Sequence, residues 1–285
     1  MREGSKCKTH RQAIACQGLE ADSPTRQSHA KNIKHSLILK FLFVSKPFQF
    51  KQFKIEQDRC AMKIGTDGVL LGAWTRIDQK PDSILDIGTG TGVIALMLAQ
   101  RCNAELVDAL ELDEDAYEQA VENFEQSPWG DRLFCYHAHL YEFATEIEDT
   151  YDLIVCNPPF FEGSVTLQEE QTNSKARVNA RFEESMPFDL LVASVNQLLN
   201  PEGIFSVIIP RMREEEFIKI AAQANLYPSQ ITHVKGNPEV VSKRSLIEFS
   251  RKQNSINKDE LIIETTRHQY TQEYIDLVED FYIKM

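Results

Sequence analysis

The stretch of sequence that decides the fold reads SILDIGTGTGVIALMLAQ and spans residues 83–100. It begins with a short apolar run of strand length, turns through three alternating glycines and continues as an apolar run of helix length. The glycines let the backbone turn tightly and approach a ligand, and the following helix offers unpaired N–H groups at its start. The pattern therefore predicts a strand–turn–helix unit with a binding loop. The three glycines are Gly88, Gly90 and Gly92.

Strand-like and helix-like segments alternate from about residue 47 onward. The expected strands are 83–87, 105–112, 133–136, 151–156 and 204–209, with further strands near 230–235, 244–250 and 260–264. The expected helices are 93–100, 113–126, 188–199, 213–224 and a last helix from Thr271. Such alternation is typical of an α/β protein with a doubly wound, mostly parallel sheet.

The overall charge is acidic but unevenly distributed. The chain has 285 residues, 42% of them hydrophobic, and a net charge of −12. This is a globular composition, and RNA would have to meet a local basic patch because a general nucleic-acid binder is normally basic. Residues 1–46 carry nine Lys/Arg against three Asp/Glu and show no regular period. We interpret them as a disordered tail or as the product of a mis-called start codon, and 47–285 as the folded domain.

The number and spacing of the cysteines indicate the redox state of the compartment in which the protein folds. Six cysteines are scattered along the chain, and none forms a C-x-x-C pair. This usage is typical of a reducing compartment, and no apolar run reaches the length of a membrane span. The sequence therefore predicts a cytoplasmic protein without a membrane partner. It carries no direct signal for the oligomeric state, and we expect a monomer.

Two carboxylates are associated with the glycine turn. Asp86 directly precedes it, and Glu111 comes 19 residues after Gly92. At the end of the next expected strand, the Glu111 carboxylate can accept hydrogen bonds from both hydroxyls of a ribose. The run from Gly90 to Ala95 also fits G-x-G-x-x-A, a fingerprint of nicotinamide or flavin dinucleotide binding. Asp86 argues against that interpretation, because dinucleotide folds usually have an apolar residue there.

A second motif, Asn157-Pro158-Pro159-Phe160, directly follows the expected strand 151–156. Consecutive prolines cannot continue a helix or pair within a sheet, so they fix the backbone after the strand. The Asn157 side chain and the Pro158 carbonyl can then accept hydrogen bonds from one planar amino group, and Phe160 can stack on its ring. Acceptors on both hydrogens favour a tetrahedral, nucleophilic nitrogen, so Asn157, Pro158 and Phe160 are the catalytic candidates.

The two motifs resemble those of a known class of enzymes. D-x-G-x-G-x-G is similar to the first motif of class I S-adenosylmethionine-dependent methyltransferases, and N-P-P-[FYW] to their signature for planar nitrogens. Residues 53–74, 111–113, 126–129 and 281–282 further resemble the tRNA1(Val) (adenine(37)-N6)-methyltransferase family, over roughly 47–285. The resemblance implies a Rossmann-like, seven-stranded, mostly parallel sheet with helices on both faces. It also implies S-adenosyl-L-methionine as cofactor and N6-methylation of adenosine 37 beside the anticodon of a valine tRNA.

The resemblance further implies which residues bind the cofactor. It places Gly65, Thr66 and Asp67 on a loop that caps the cofactor, although Thr66 or Asp67 could also be the N-cap of a helix over 68–74. The remaining residues that it implies in cofactor binding are Asp86, Gly88, Gly90, Gly92, Glu111 and His139.

His139 departs from the family pattern. It falls near the position where related enzymes often use Asp to bind the adenine amine. A neutral imidazole can accept one hydrogen bond from an amine, so this contact can persist. His137 and His139 could instead share a metal ion, but no third ligand is evident, and we expect no metal.

Two segments, 43–63 and 235–252, each carry an excess of three positive charges. In the first, basic residues interleave with Phe48, Phe50 and Phe53, which suits phosphate contact with base stacking. A solvated surface above ordinary core phenylalanines fits the same pattern nearly as well. The predicted RNA-contacting residues are Lys51, Lys54, Arg59, Lys63, Arg177, Arg181, Lys243 and Arg244.

Other functions remain open from the sequence. The same chemistry could act on DNA adenine, on guanine N2 in ribosomal RNA or on a protein glutamine amide, because N-P-P-F does not separate planar nitrogens. A non-catalytic RNA-binding protein could keep the fold without turnover. A nicotinamide oxidoreductase is the least favoured interpretation.

Overall fold

The computed structural model describes residues 46–159 and 186–285. The chain divides into two units, Met1–Pro47 and Phe48–Met285, and only Lys46 and Pro47 of the first unit are described. The following concerns the second unit. Most of the tail predicted for residues 1–46 lies outside the described residues, as do Phe160, Arg177 and Arg181 of the predicted site.

The described part of the second unit contains twelve strands, eight of which form a central sheet. The strands are β1 (Phe48–Gln49), β2 (Lys54–Ile55), β3 (Ser83–Ile87), β4 (Leu106–Glu111), β5 (Leu133–His137), β6 (Tyr151–Cys156), β7 (Leu199–Pro210), β8 (Tyr227–Lys235), β9 (Arg244–Ser250), β10 (Asn257–Ile262), β11 (Glu264–Thr266) and β12 (Gln269–Tyr270). The order in the central sheet is β10-β8-β9-β7-β6-β3-β4-β5. Strand β9 runs antiparallel to both of its neighbours, and all other pairs are parallel.

The predicted Rossmann-like, mostly parallel sheet is therefore confirmed, with one difference. It has eight strands rather than seven, because β10 adds to the edge beside β8 in parallel register. Strands β1 and β2 form a separate antiparallel pair, as do β11 and β12.

Helices cover both faces of the sheet. They are α1 (Thr66–Trp74), α2 (Val93–Arg101), α3 (Glu114–Glu125), α4 (Leu140–Glu146), α5 (Phe188–Leu198), α6 (Glu214–Gln223) and α7 (Gln272–Val278). The sequence did not predict α4, since seven residues are too few to show a clear helical period. The N-cap expected at Thr66 or Asp67 is wrong: α1 already begins at Thr66, and its N-cap is Gly65 without a side-chain hydrogen bond.

Alternation along the strands produces two apolar cores. In β3, Ile84 packs into the cluster that contains α1 and α2, whereas Leu85 and Ile87 pack into the cluster that contains α4, α5 and α6. The sheet is thus buried on both faces, as parallel sheets are. Among the described residues, no helix combines the length and apolar character needed to cross a membrane.

The β1–β2 pair packs against the C-terminal end of the chain. Phe50 forms an isolated bridge with Tyr282, and its ring stacks on Phe53 with centroids 4.7 Å apart. Phe50 is 0% and Phe53 is 5% exposed. The expectation that these two rings stack on RNA bases is therefore wrong, because both are already enclosed by the core. Phe48 is only half-buried, beside Tyr282.

We predict that Phe50→Ala lowers the free energy of unfolding by about 3–5 kcal/mol, because it empties a fully buried aromatic position. Phe134→Ala is the matched control, since that ring is 40% exposed and should cost far less. Chemical denaturation of both variants measures the difference. Equal losses for the two variants would contradict the core position of Phe50.

Candidate active site

The glycine turn between β3 and α2 adopts a backbone that favours glycine at three positions. Gly88, Gly90 and Gly92 have φ values of 69°, 56° and 82°, in the left-handed region that other residues enter only at a cost. A Cβ at Gly92 would lie 2.5 Å from Cε1 of Phe124, so this glycine also allows α3 to pack closely. A Cβ at Gly90 would meet nothing within 4 Å, which leaves open space beside the turn.

Asp86 lies behind this turn. Its carboxylate is completely buried, and Oδ2 accepts hydrogen bonds from Thr89 Oγ1 at 2.6 Å and from the Ala95 backbone N–H at 3.2 Å. Oδ1 has no hydrogen-bond partner among the described residues. Asp86 does not line the cavity described below, so the structure does not bring it to the position of a direct cofactor contact. It positions the turn instead.

Burial governs the ionisation of Asp86. Desolvation raises the pKa of this carboxyl to about 7, against the opposing effect of the hydrogen bonds from Thr89 and Ala95. The nearby Glu111 raises the pKa further, because a like charge disfavours ionisation. The side chain therefore stays protonated to a much higher pH than an exposed aspartate.

Glu111 ends β4 and faces the turn. Its Oε2 accepts the Gly90 N–H at 2.8 Å, and its Oε1 accepts the backbone N–H groups of Leu112 at 2.8 Å and Asp113 at 2.9 Å. Desolvation holds the pKa of Glu111 above its usual value, against the opposing effect of these three backbone donors. The carboxylate is therefore fixed in position at the strand end, where the sequence predicted a contact with ribose hydroxyls.

One cavity lies at the carboxyl ends of β3, β4, β5 and β6. These four strands are parallel neighbours, so the residues that follow them meet at a single edge of the sheet. The predicted residues that line this cavity are Gly88, Gly90, Glu111, His139 and Asn157. Pro159 of the second motif also lines it, whereas Pro158, a predicted catalytic residue, is buried and is not part of the described wall. The structure thus brings the two motifs, about 65–70 residues apart in sequence, to one cavity.

The sequence analysis did not assign several residues of the cavity wall. Cys60, Ala61 and Met62 lie on one side, and Met186 closes another. Long-range hydrogen bonds hold the segment that contains the first three: the Glu56 N–H donates to Asn123 Oδ1 at 2.9 Å, and the Asn123 side chain donates back to the Glu56 carbonyl at 2.9 Å. No local pattern in the sequence could have shown this, because Asn123 lies 67 positions from Glu56 along the chain.

His139 has a different hydrogen-bonding role from the one expected. Its Nδ1 accepts the Tyr141 backbone N–H at 3.2 Å and so caps α4. In a neutral imidazole with Nδ1 as acceptor, Nε2 carries the proton and is a donor. Because Nδ1 is already occupied, the free nitrogen of a neutral His139 ring would be a donor rather than the acceptor that the sequence analysis expected.

His137 contacts other groups than His139 does. Its Nε2 lies 2.9 Å from the Leu112 carbonyl oxygen, and its ring stacks on Tyr117 with centroids 5.3 Å apart. Within the described ranges, no group of three or more His, Cys, Asp or Glu side chains could hold a metal ion.

Thr66 and Asp67 do not line the cavity. Thr66 lies at the wall of a second cavity, and Asp67 forms an ion pair with Arg244 Nε at 2.9 Å. Their predicted contact with the cofactor is therefore not supported by their positions. The same ion pair engages the guanidinium of Arg244, which the sequence analysis predicted to contact RNA.

Most of the other predicted RNA-contacting cations have protein partners. Lys51 Nζ donates to the Glu279 carbonyl at 2.6 Å, and Lys54 pairs with Glu56 at 3.4 Å. Arg59 pairs with Glu118 and Glu122. Lys63 donates to the carbonyls of Gln57 and Cys60, and Lys243 is exposed at the surface. Most of the described cations that the sequence predicted to contact RNA are therefore engaged by acceptors of the protein itself.

The geometry fits a nucleoside-containing cofactor. Open space lies beside Gly90, the Glu111 carboxylate is fixed at the strand end, and Leu110 and Ala116 contribute apolar surface. A family model described as the methyltransferase small domain matches residues 67–177. A predicted O-methyltransferase from Agrobacterium tumefaciens has a similar fold, with a TM-score of 0.58 at 18% identity over 75% of this chain and 96% of that one. The fold and the matched domain define a methyltransferase.

Sequence relatives narrow this class. Two proteins named tRNA1(Val) (adenine(37)-N6)-methyltransferase, from Flavobacterium psychrophilum and Flavobacterium johnsoniae, are 58% and 59% identical to this chain. Each alignment covers 84% of this chain and 100% of the relative. The chain belongs to the tRNA1(Val) (adenine(37)-N6)-methyltransferase family, as the sequence motifs predicted.

We predict that Asp86→Asn makes the free energy of unfolding less dependent on pH. A carboxyl with a pKa of about 7 when folded binds more protons in the folded than in the unfolded chain. Its contribution to stability is therefore complete below about pH 4 and is lost as the pH rises through about 7. Denaturant titrations across this range should show a flatter profile for Asp86→Asn than for the wild type. The exposed Asp131→Asn is the control, and an unchanged profile for Asp86→Asn would contradict the assignment.

We predict that substitutions at Gly92 and Gly90 impair the protein in different ways. Gly92→Ala should lower the melting temperature strongly, because it adds a clash with Phe124 to the cost of about 1–2 kcal/mol for a left-handed residue. Gly90→Val has the same backbone cost without that clash, and its side chain enters the open space beside the turn. Its main effect should therefore be a loss of cofactor affinity rather than a fall in melting temperature. Thermal unfolding and calorimetric titration separate the two effects. Wild-type cofactor affinity in Gly90→Val would refute the second part.

Proposed function

We propose that this protein transfers a methyl group from S-adenosyl-L-methionine to N6 of adenosine 37 in a valine tRNA, in the cytoplasm. One observation carries the proposal: Asn157 and Pro159 line the same cavity as Gly90 and Glu111. A planar amino group held at Asn157 would therefore lie next to a cofactor held at Glu111. The family relationship supports the choice of substrate.

Named residues of this chain would hold the cofactor. Glu111 would accept hydrogen bonds from the ribose hydroxyls, and the turn from Gly88 to Gly90 would lie against the amino-acid part. His139, with its Nε2–H, would donate to a ring nitrogen of the adenine rather than accept from its amine. When bound, S-adenosyl-L-methionine supplies an electrophilic methyl group.

Asn157 and Pro158 would activate the target nitrogen. Its lone pair is delocalised into the adenine ring, so it is a weak nucleophile until the amino group becomes tetrahedral. Two acceptor oxygens on the two amino hydrogens favour that geometry and the positive charge that develops. The nitrogen loses one proton to water after the new carbon–nitrogen bond has formed, so no strong general base is needed. Phe160, the stacking partner predicted by the sequence, belongs to the same proposal.

The ionisation of Cys60 argues for direct transfer to the substrate. This thiol lines the cavity and could in principle attack a methyl group or a base. Desolvation raises the pKa of Cys60 to about 12, and the neighbouring Glu111 raises it as well. The thiol therefore stays protonated and is a poor nucleophile near neutral pH. The side chain is better suited to the cavity wall than to covalent catalysis.

The test is methyl transfer from tritiated S-adenosyl-L-methionine to unmodified valine tRNA, followed by nucleoside analysis. N6-methyladenosine at position 37 is the expected product. Incorporation into ribosomal RNA, DNA or protein, without incorporation into tRNA, would retain the chemistry and refute the substrate. Retention of reduced nicotinamide in place of S-adenosyl-L-methionine would refute the cofactor.

We predict that Asn157→Ala lowers kcat by about 100-fold or more while the dissociation constant for the cofactor stays within about twofold, because the side chain acts on the substrate amine. Asn103→Ala is the control, since Asn103 is exposed at the opposite edge of the sheet, between α2 and β4. Single-turnover rates and calorimetry measure the two quantities. Weakened cofactor binding with an unchanged rate would reverse the assigned role.

A further inference from the structure

A second cavity lies beyond β10, and aromatic side chains dominate its wall. Tyr270, Tyr274, Tyr282 and Phe48 all line it. The rings of Tyr270 and Tyr274 are 5.3 Å apart, those of Phe48 and Tyr282 are 6.2 Å apart, and a hydrogen bond joins the Tyr274 and Tyr282 side chains. We call this set of residues the tyrosine cavity. Aromatic walls of this kind suit the face of a flat ring.

The tyrosine cavity opens along the same edge of the sheet as the active-site cavity. Strand β10 runs in the direction of β7 and β6, and Ile263 and Glu264, which follow β10 directly, line the cavity. The residues after β3, β4, β5 and β6 line the active-site cavity at this same edge. A ligand that extends along the carboxyl ends of the strands could therefore enter both cavities.

One short segment of chain joins the two cavities. Met62 lines the active-site cavity, and Thr66 lines the tyrosine cavity. Four residues of extended chain span at most about 14 Å. Stacked nucleotides in one strand follow each other every 3.4 Å or so, so this distance corresponds to about four nucleotides. A base in the tyrosine cavity would therefore belong to the same stretch of RNA as a base in the active site.

Polar groups at the tyrosine cavity match a nucleobase. The Glu264 carboxylate has no hydrogen-bond or ion-pair partner among the described residues, so it is free to accept from an exocyclic amine. Burial raises the pKa of both Tyr274 and Tyr282, which keeps their hydroxyls neutral and able to hydrogen-bond. A carboxylate that accepts from a base amine, beside aromatic rings, is a usual mode of recognition for single-stranded RNA.

The charges around the rim favour RNA over a free cationic ligand. Lys284 lines the cavity beside Glu264, so the wall carries one basic and one acidic side chain. A small cation attracted by Glu264 would be repelled by Lys284. A nucleotide matches both charges, because its base amine can donate to the Glu264 carboxylate while its phosphate lies near the Lys284 ammonium.

We propose that the tyrosine cavity binds a base of the substrate RNA, one with an exocyclic amino group and within about four nucleotides of the methylated adenosine. This inference rests on the proposed function, since it assumes an RNA substrate in the active site. The tyrosine cavity positions the RNA and takes no part in methyl transfer.

The first test uses the full-length protein and an unmodified valine tRNA. Tyr270→Ala removes a ring that is 39% exposed and should raise KM for the tRNA about tenfold, with kcat and cofactor affinity within twofold of the wild type. Tyr270→Phe keeps the ring and should restore KM. Tyr227→Ala, at the start of β8 on the opposite edge, is the matched control.

The second test identifies the base. Abasic nucleotides are placed one at a time at the four positions on each side of the target. One of them should raise KM for the wild type about as much as Tyr270→Ala does, and it should cause no further rise in Tyr270→Ala, because the two changes remove the same contact. Glu264→Gln, which alters only the carboxylate, should raise KM at this position only when the base carries an exocyclic amine.

These measurements distinguish failure of the tyrosine-cavity proposal from failure of the proposed function. An unchanged KM in Tyr270→Ala, or abasic effects that persist at every position in that variant, would overturn the second site while tRNA methylation by the wild type stands. A wild-type enzyme that methylates no tRNA would overturn the proposed function, and this inference with it. If Tyr270→Ala fails to fold, an unchanged KM in Glu264→Gln with an amine-bearing base overturns the second site.

Discussion

The buried carboxylate of Asp86 holds the glycine turn in place, and the active-site cavity depends on that turn. A carboxyl removed from water needs hydrogen-bond partners, and Asp86 takes the Thr89 hydroxyl and the Ala95 N–H at the start of α2. These two contacts fix both ends of the turn. The left-handed glycines between them then bring the Gly90 N–H to Glu111 at the end of the neighbouring strand.

The carboxyl edge of the parallel strands gathers the remaining groups. Glu111, His139 and Asn157 each follow or end a strand of the same parallel set, so their convergence results from the topology of the sheet. Helix α3 adds a second constraint, because Asn123 bonds both to Glu56 and to the Thr91 carbonyl. This one side chain connects the glycine turn to the segment that leads to the cavity wall.

An acidic protein that acts on RNA must place its cations selectively. Several of the cations predicted to meet RNA are paired here with Glu or Asp, as in Arg59 with Glu118 and Arg244 with Asp67. Such pairing weakens a diffuse positive field and leaves recognition to shape, stacking and a few local contacts. The aromatic surface along the carboxyl edge is consistent with this mode of binding.

The sequence by itself determined the parallel α/β fold, the glycine turn, the position of Glu111 and the Asn157 motif, because each depends on backbone chemistry within a few consecutive residues. Only the tertiary structure decided the burial of Phe50, the partner of Asp67 and the hydrogen bond that His139 accepts. Those properties depend on Tyr282, Arg244 and the start of α4. The first two partners lie far away in the chain, and the third belongs to a helix too short to show a period. The contacts of Phe50 and Asp67 form only when folding brings those distant segments together.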